Sequence, residues 1–157
     1  MENHGTEFKS RFRRLREQVL AMQGIWTRDE PEFHGEFVNF DPIWYYPKPV
    51  KQPHSPVLFG GESDFTLQRV VDFCDGWLSR TRGNVDIAGR LAELKARAAR
   101  AGRDTQTMSV NGFGAKPDAA TLDSYATAGV TRALFDLPSK DRESVLPLLD
   151  QYAKLIR

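Results

Sequence analysis

The stretch Pro56-Val57-Leu58-Phe59-Gly60-Gly61-Glu62-Ser63-Asp64, followed by Cys74-Asp75-Gly76-Trp77-Leu78, decides the fold of this chain. A short apolar run leads into a Gly-Gly turn, and Asp64 is predicted to cap the start of a helix behind it. One face of this helix is apolar and carries Leu67, Val70, Val71 and Cys74. The sequence therefore predicts a strand–turn–helix–strand unit with an anion-sized opening at the end of its first strand.

The same alternation continues to the end of the chain. A buried strand is predicted at 57–59, and further strands are predicted at 76–78, at 108–114, where the pattern alternates, and at 130–137. A polar basic loop is predicted at 79–84. Helices are predicted from Asp64, over 86–101 and 118–128, and after Ser139 or Ser144, with Pro147 in the first turn of the last one. That last helix is expected to turn Val145, Leu148, Leu149, Tyr152 and Ile156 inward. Four strand–helix units build a parallel sheet, which periodicity alone leaves open as half a TIM barrel or a small open α/β sheet.

Residues 1–56 have a different pattern. Apolar residues spaced three and four apart predict an amphipathic helix from Phe8, with the stripe Phe8, Phe12, Leu15, Val19, Met22 and Trp26. Residues 33–40 predict a short hairpin that turns at His34-Gly35. The next residues hold repeated prolines together with Trp44, Tyr45 and Tyr46, so an extended segment pinned by its aromatic side chains is expected.

The composition excludes several classes of function. The net charge is +1, from 22 basic and 21 acidic residues, so no nucleic-acid or membrane-surface partner is expected. No apolar run has the length of a membrane span and no apolar signal core is present, which leads us to expect a cytoplasmic protein. The single cysteine, Cys74, is predicted to be a small core residue. His4, His34 and His54 have neither metal-ligand spacing nor a nucleophile beside them, so neither a metal site nor hydrolase chemistry is expected.

Three ordered segments carry a family resemblance. They are Asn3-His4-Gly5-Thr6 with the helix at 14–27; residues 33–37, 47–50 and 53–56 leading into Phe59-Gly60-Gly61; and Asp75-Gly76-Trp77-Leu78. Residues 128–138 are similar to a final barrel strand. In order and spacing these segments resemble the luciferase-like monooxygenase family, TIM-barrel oxidoreductases that depend on flavin or on the deazaflavin coenzyme F420.

The resemblance implies a partial TIM barrel. A complete (β/α)8 barrel takes about 250 residues, and this chain has 157. The chain is expected to be one luciferase-like domain, 1–157, equivalent to the C-terminal half. Residues 1–56 are the helix with a Pro/aromatic-rich hairpin insertion, and residues 57–157 are (β/α) units five to eight.

The resemblance also places a cofactor site at the carboxyl ends of the strands, in loops 60–64, 79–84, 114–118 and 137–141. It implies that Gly60, Gly61, Glu62 and Ser63 hold the phosphate or ribityl chain of coenzyme F420 or FMN. In the next loop, Arg80 or Arg82 is expected to contact the phosphate, assisted by Ser79 and Thr81. From the residues alone, a tight turn without a ligand and a solvated basic loop stay open as alternatives. No acid–base catalytic residue is assigned.

The implied function is oxidation or reduction of a small molecule, of monooxygenase or hydride-transfer type. The alternative is a non-catalytic half-barrel module for binding or assembly. A half barrel leaves two strand edges open, so we expect a homodimer or a complex with a separate N-terminal half. A truncated fragment without a role of its own is a third possibility.

Overall fold

A computed structural model describes residues 2–83 and 85–156. The chain divides into two compact units, Met1–Val57 and Leu58–Arg157, which are described separately. Residue 84, the last of the predicted basic loop, lies outside the described residues.

The first unit contains one long helix and a small hairpin. Helix α1 spans Arg11–Thr27, after a short 3₁₀ turn at Glu2–His4. Strands β1 (Phe33–His34) and β2 (Asn39–Phe40) pair antiparallel, which confirms a hairpin over 33–40. The predicted turn at His34-Gly35 was wrong: His34 pairs with Asn39, and the turn spans 35–38, closed by the N–H of Gly35 on the carbonyl of Val38. Residues 41–56 form neither helix nor strand, as the repeated prolines predict.

The predicted start of α1 was wrong. Phe8 lies before the helix and is 63% exposed, with the Arg11 guanidinium 3.6 Å from its ring centroid. Of the predicted stripe only Val19 is fully buried, and Met22 is 39% exposed. The stripe has the correct period, but Phe8 precedes the first helical turn and packs under an arginine.

Glu17 fastens the hairpin to α1. Its carboxylate accepts hydrogen bonds from the backbone N–H groups of Glu36 at 3.1 Å, Phe37 at 2.7 Å and Val38 at 3.1 Å. The N–H of Phe37 is the largest of several influences that hold the pKa of Glu17 below its ordinary value of 4.5. A lowered carboxyl pKa stabilises the hairpin above the unfolded pKa, and that stabilisation is lost as the pH falls through the folded value.

We expect Glu17→Gln to expose the hairpin amides at every pH. Hydrogen-exchange protection of the Phe37 and Val38 amides in the wild type should decline as the pH falls below about 4.5, the unfolded pKa. In Glu17→Gln the protection should already be several-fold lower at pH 7. Glu36→Gln is the matched control, because it removes only an exposed ion pair with Arg13. Equal protection in both variants would contradict the role given to Glu17.

The second unit is a parallel sheet with helices between its strands. The strands are β3 (Leu58–Gly60), β4 (Gly76–Arg80), β5 (Ser109–Phe113) and β6 (Arg132–Leu134). The helices are α2 (Asp64–Phe73), α3 (Ile87–Arg100), α4 (Ala119–Ala128) and α5 (Arg142–Ala153), with a 3₁₀ turn at Thr105–Thr107. The strand order is β3-β4-β5-β6, which confirms the predicted four strand–helix units.

The core lies between one face of the sheet and helices α2 and α3. Register pairs Phe59 with Trp77, and Trp77 with Val110, so these three side chains share that face. Around them pack the apolar residues Leu67, Val70, Val71, Leu91, Leu94, Ala98 and Met108. Cys74 is 1% exposed, which confirms the prediction that it is a core residue. Burial raises the pKa of its thiol to about 12.

Three strand predictions need correction. The last strand was predicted at 130–137, but β6 spans only Arg132–Leu134, the residues that pair with β5. Strand β3 was predicted to be buried, but Leu58 is 37% exposed because it lies on the sheet face opposite the core, away from its neighbour Phe59. Strand β4 runs two residues further than predicted, so Ser79 and Arg80 belong to the strand and not to a loop. The reason is the β5 register, which pairs Ser79 with Gly112 and Arg80 with Phe113.

The helix caps explain the other boundary errors. Ser63, and not Asp64, is the N-cap of α2, because its hydroxyl accepts from the N–H of Thr66. Helix α5 begins after Asp141, whose carboxylate accepts from the N–H of Ser144 at 2.9 Å, so Pro147 lies inside the helix and not in its first turn. The predicted inward face of α5 is confirmed in part: Val145, Leu148 and Tyr152 are half-buried, whereas Leu149 is exposed and Ile156 lies beyond the end of the helix and is exposed.

Candidate functional site

The carboxyl ends of the four strands meet at one edge of the sheet. Register pairs Gly60 with Leu78, Arg80 with Phe113, and Phe113 with Leu134. The segments that follow these strands are therefore neighbours: the Gly-Gly turn after β3, Thr81-Arg82 after β4, Gly114 after β5 and Asp136 after β6. We call this place the carboxyl edge.

The turn after β3 requires one of its two glycines. Gly61 has a φ of +121°, and a Cβ there would lie 2.9 Å from the Thr66 hydroxyl. At Gly60 a Cβ would meet only the Leu78 carbonyl at 3.7 Å, which is ordinary contact. The turn conformation therefore depends on Gly61.

Two donors fix the carbonyl groups of this turn. The indole N–H of Trp77 donates to the carbonyl of Gly61 at 2.6 Å, and Nη2 of Arg90 donates to the carbonyl of Glu62 at 2.8 Å. The C=O and N–H of a planar trans peptide point in opposite directions. The N–H groups of Glu62 and Ser63 therefore point away from Trp77 and Arg90.

Glu62 and Arg80 form a two-point contact. One carboxylate oxygen of Glu62 accepts from the backbone N–H of Arg80 at 2.8 Å, and the other accepts from its Nε at 3.1 Å. The Glu62 side chain is 20% exposed and that of Arg80 is 70% exposed. The carboxylate of Glu62 is thus directed at Arg80, and the terminal nitrogens of the Arg80 guanidinium are exposed to solvent.

The other predicted site residues are engaged within the fold. The Ser63 hydroxyl caps α2, and Ser79 is fully buried with its hydroxyl donating to the carbonyl of Arg80. Thr81 donates both its N–H and its hydroxyl to the carbonyl of Phe113, each at 2.9 Å. Arg82 forms an ion pair with Asp136.

Sequence reasoning missed Arg90 and Asp136 as parts of this region. Nothing in the sequence indicated Arg90, because this residue lies in α3, well after the turn. Its Nη1 donates to the carboxylate of Asp64, and its Nη2 donates to the carbonyl of Glu62. The available signal for Asp136 was its position near the end of the predicted strand 130–137, because parallel sheets collect polar groups at the ends of their strands.

The rest of the unit offers little competing chemistry. A cavity of about 180 Å³ lies beside residues that precede β5 and β6, including Thr105, Gln106 and Gly129, and so at the edge opposite the candidate site. Among the described residues, no group of three or more His, Cys, Asp or Glu could hold a metal ion. No described helix is both long enough and apolar enough to cross a membrane.

Comparison with known proteins identifies the family. The model of the luciferase-like monooxygenase family matches residues 1–128. This chain belongs to the luciferase-like monooxygenase family. An uncharacterized protein of Mycobacterium tuberculosis is 36% identical over 152 residues, which is 96% of this chain and 53% of that protein. An FMNH₂-dependent dimethylsulfone monooxygenase of Pseudomonas putida is 31% identical over 68% of this chain and 29% of its own length.

A solved structure shares the fold of this chain. The F420-dependent secondary alcohol dehydrogenase in complex with an F420-acetone adduct aligns with a TM-score of 0.55 and 15% identity. The alignment covers 95% of this chain and 55% of the dehydrogenase chain. The parallel four-stranded sheet thus matches part of a luciferase-like TIM barrel, and the chain spans about half the length of the first curated relatives it matches.

Proposed function

We propose that this chain forms part of a luciferase-like oxidoreductase of monooxygenase or hydride-transfer type. Its carboxyl edge would bind the phosphate-bearing arm of a flavin or deazaflavin coenzyme, FMN or F420. The observation that carries this proposal is the pairing of β3 with β4, which brings the Gly61 turn beside Arg80 in a chain of this family.

The residues present fit a phosphate group. The N–H groups of Glu62 and Ser63 point away from their buried neighbours, and α2 presents its N-terminus behind them. Three carboxylates lie nearby, and each is paired with an arginine: Glu62 with Arg80, Asp64 with Arg90, and Asp136 with Arg82. Because these charges are paired, they oppose an incoming anion less than free carboxylates would.

The bound coenzyme would supply hydride transfer or oxygen activation. This chain would hold its phosphate and orient it through Gly60, Gly61, Glu62 and Ser63 on one side and Arg80 on the other. No residue of this chain is assigned a proton-transfer role.

A fluorescence titration of the folded 157-residue chain with FMN and with coenzyme F420 tests the proposal. Saturable binding in the micromolar range, with either coenzyme, is the expected result. If circular dichroism shows a folded chain and neither coenzyme binds, the proposal of a cofactor site in this chain fails.

The alternative function is a non-catalytic module that assembles through its sheet. Leu58 and Phe113 lie on the sheet face opposite the core and are 37% and 48% exposed. Exposed apolar groups of this kind favour association, with a second copy or a separate N-terminal half as the partner. Sedimentation equilibrium tests whether the partner is a second copy of this chain: a dimer supports self-association, and a monomer at high concentration argues against it.

A further inference from the structure

We propose that Glu62 is a positioning residue that presents Arg80 to the coenzyme phosphate, and that Arg82 is a structural strap without a phosphate contact. This inference rests on the proposed function; from the sequence alone, Arg80 and Arg82 were equal candidates for the phosphate contact. The two arginines differ in how their guanidinium groups are held.

Arg80 is held so that its terminal nitrogens stay available. Glu62 binds the backbone N–H and Nε of Arg80, which fixes the direction of the side chain at two points. Among the described residues, Nη1 and Nη2 of Arg80 have no hydrogen-bond partner, and the side chain is 70% exposed. These two nitrogens carry the parallel N–H donors that suit the bidentate recognition of a phosphate.

Arg82 is held in the opposite way. Its Nη2 is bound to the Asp136 carboxylate, 54 residues away in sequence, so the side chain links the segment after β4 to the segment after β6. On the way it passes Gly114, where a Cβ would lie 3.0 Å from Nε of Arg82 and the φ is +77°. The Nη2 nitrogen is thus occupied in Arg82, whereas in Arg80 it has no hydrogen-bond partner among the described residues.

The role of Glu62 can be tested by whether neutralising its charge strengthens or weakens coenzyme binding. A carboxylate near a phosphate repels it, so if Glu62 contributed only its charge, neutralising it would strengthen coenzyme binding. If Glu62 instead positions Arg80, neutralising it frees the guanidinium and weakens binding. Asp64→Asn is the matched control, because it removes the same charge from the same turn and Asp64 pairs with Arg90 and Arg97 and not with Arg80.

The experiment compares ligands with and without the phosphate. FMN and riboflavin form one pair, and coenzyme F420 and its phosphate-free deazaflavin form the other. In the wild-type chain the phosphate-bearing ligand should bind more tightly. Arg80→Gln should reduce this preference about tenfold, the size expected for one charge-assisted hydrogen bond. Glu62→Gln should reduce it roughly threefold, whereas Asp64→Asn and Arg82→Gln should not reduce it. A purely structural defect would weaken the binding of both ligands of a pair equally and leave the preference unchanged.

In the coenzyme titrations, two results would overturn the inference: a preference that rises or stays unchanged in Glu62→Gln, or a larger loss in Arg82→Gln than in Arg80→Gln. If the wild type binds no coenzyme, the proposed function fails, and inorganic phosphate then tests the inference by NMR. The Nε–Hε signal of Arg80 should shift with phosphate and that of Arg82 should not, and Glu62→Gln should reduce the shift. No shift at Arg80 would overturn the inference as well.

Discussion

Replacing Trp77 by alanine is expected to lower the free energy of unfolding by about 3–5 kcal/mol, the usual range for a large buried aromatic residue. Trp77 is fully buried and packs in the core formed by the sheet with α2 and α3. The substitution leaves a cavity and also removes the indole donor to the Gly61 carbonyl, at 2.6 Å in the wild type. Chemical denaturation followed by circular dichroism measures the loss.

Trp77→Phe separates the two contributions. It keeps most of the apolar contact but leaves the Gly61 carbonyl without its donor, which is expected to cost about 1–3 kcal/mol. Because that carbonyl sets the direction of the Glu62 N–H, we also expect weaker coenzyme binding in Trp77→Phe. Trp44→Ala is the matched control: Trp44 is 81% exposed, and its removal should change stability by no more than about 0.5 kcal/mol. Similar losses at Trp77 and Trp44 would contradict the assignment of Trp77 to the core.

The sequence was sufficient to predict the helices with strong periodicity and clear caps. In α3, predicted over 86–101, the apolar residues spaced three and four apart, Ile87, Leu91, Leu94 and Ala98, are all buried. Gly129, the predicted end of α4, has the left-handed φ of +97° that glycine adopts most easily. In α3 the apolar pattern and the N-cap agree, and in α4 the N-cap and the stop residue agree, so local chemistry decides the outcome.

Prediction failed where several local signals competed. Before α5, Asp141, Ser139 and Ser144 are all acceptable caps, and the proline favoured a late start that Asp141 overrides. The end of β4 depended on hydrogen bonding with β5, a strand about 30 residues later, which the local pattern does not contain. Sheet pairing is a tertiary effect, and it decides such boundaries.

The sequence predicted where the candidate site lies but not which of its carboxylates pairs with which arginine. The Gly-Gly turn and the strand ends indicated the carboxyl edge, because parallel strands bring these ends together. Which carboxylate holds which arginine depends on register and on side-chain reach. Glu62 and Arg80 are 18 residues apart, and Arg82 and Asp136 are 54 apart. This is why Arg80 and Arg82 were indistinguishable in the sequence and differ in the structure.

Arg103→Ala is expected to lower the free energy of unfolding by about 2–3 kcal/mol, since hydrogen bonds to charged groups are among the stronger ones. Nη1 of Arg103 donates to three carbonyl groups at the end of α2: Val70 at 3.0 Å, Val71 at 2.7 Å and Cys74 at 2.9 Å. The carbonyl of Val70 also accepts from the N–H of Cys74 at 3.2 Å, whereas those of Val71 and Cys74 lie at the end of the helix, where carbonyls lack intrahelical partners. A nearby positive charge complements the helix dipole. The loss should appear in denaturant unfolding and as faster hydrogen exchange in the last turn of α2.

Gly102 makes this cap possible, so it provides the second half of the test. Its φ of +68° ends α3 with bonds from the N–H of Gly102 to Ala99 and from the N–H of Arg103 to Ala98, and this turn aims Arg103 at α2. Gly102→Ala should therefore also accelerate exchange at the end of α2, although residue 102 bonds only within α3. Arg100→Ala, an exposed arginine two residues earlier, is the control and should change stability by no more than about 0.5 kcal/mol. If Arg103→Ala behaved like Arg100→Ala, the carbonyls of α2 would be satisfied by water, and the arginine would not be their cap.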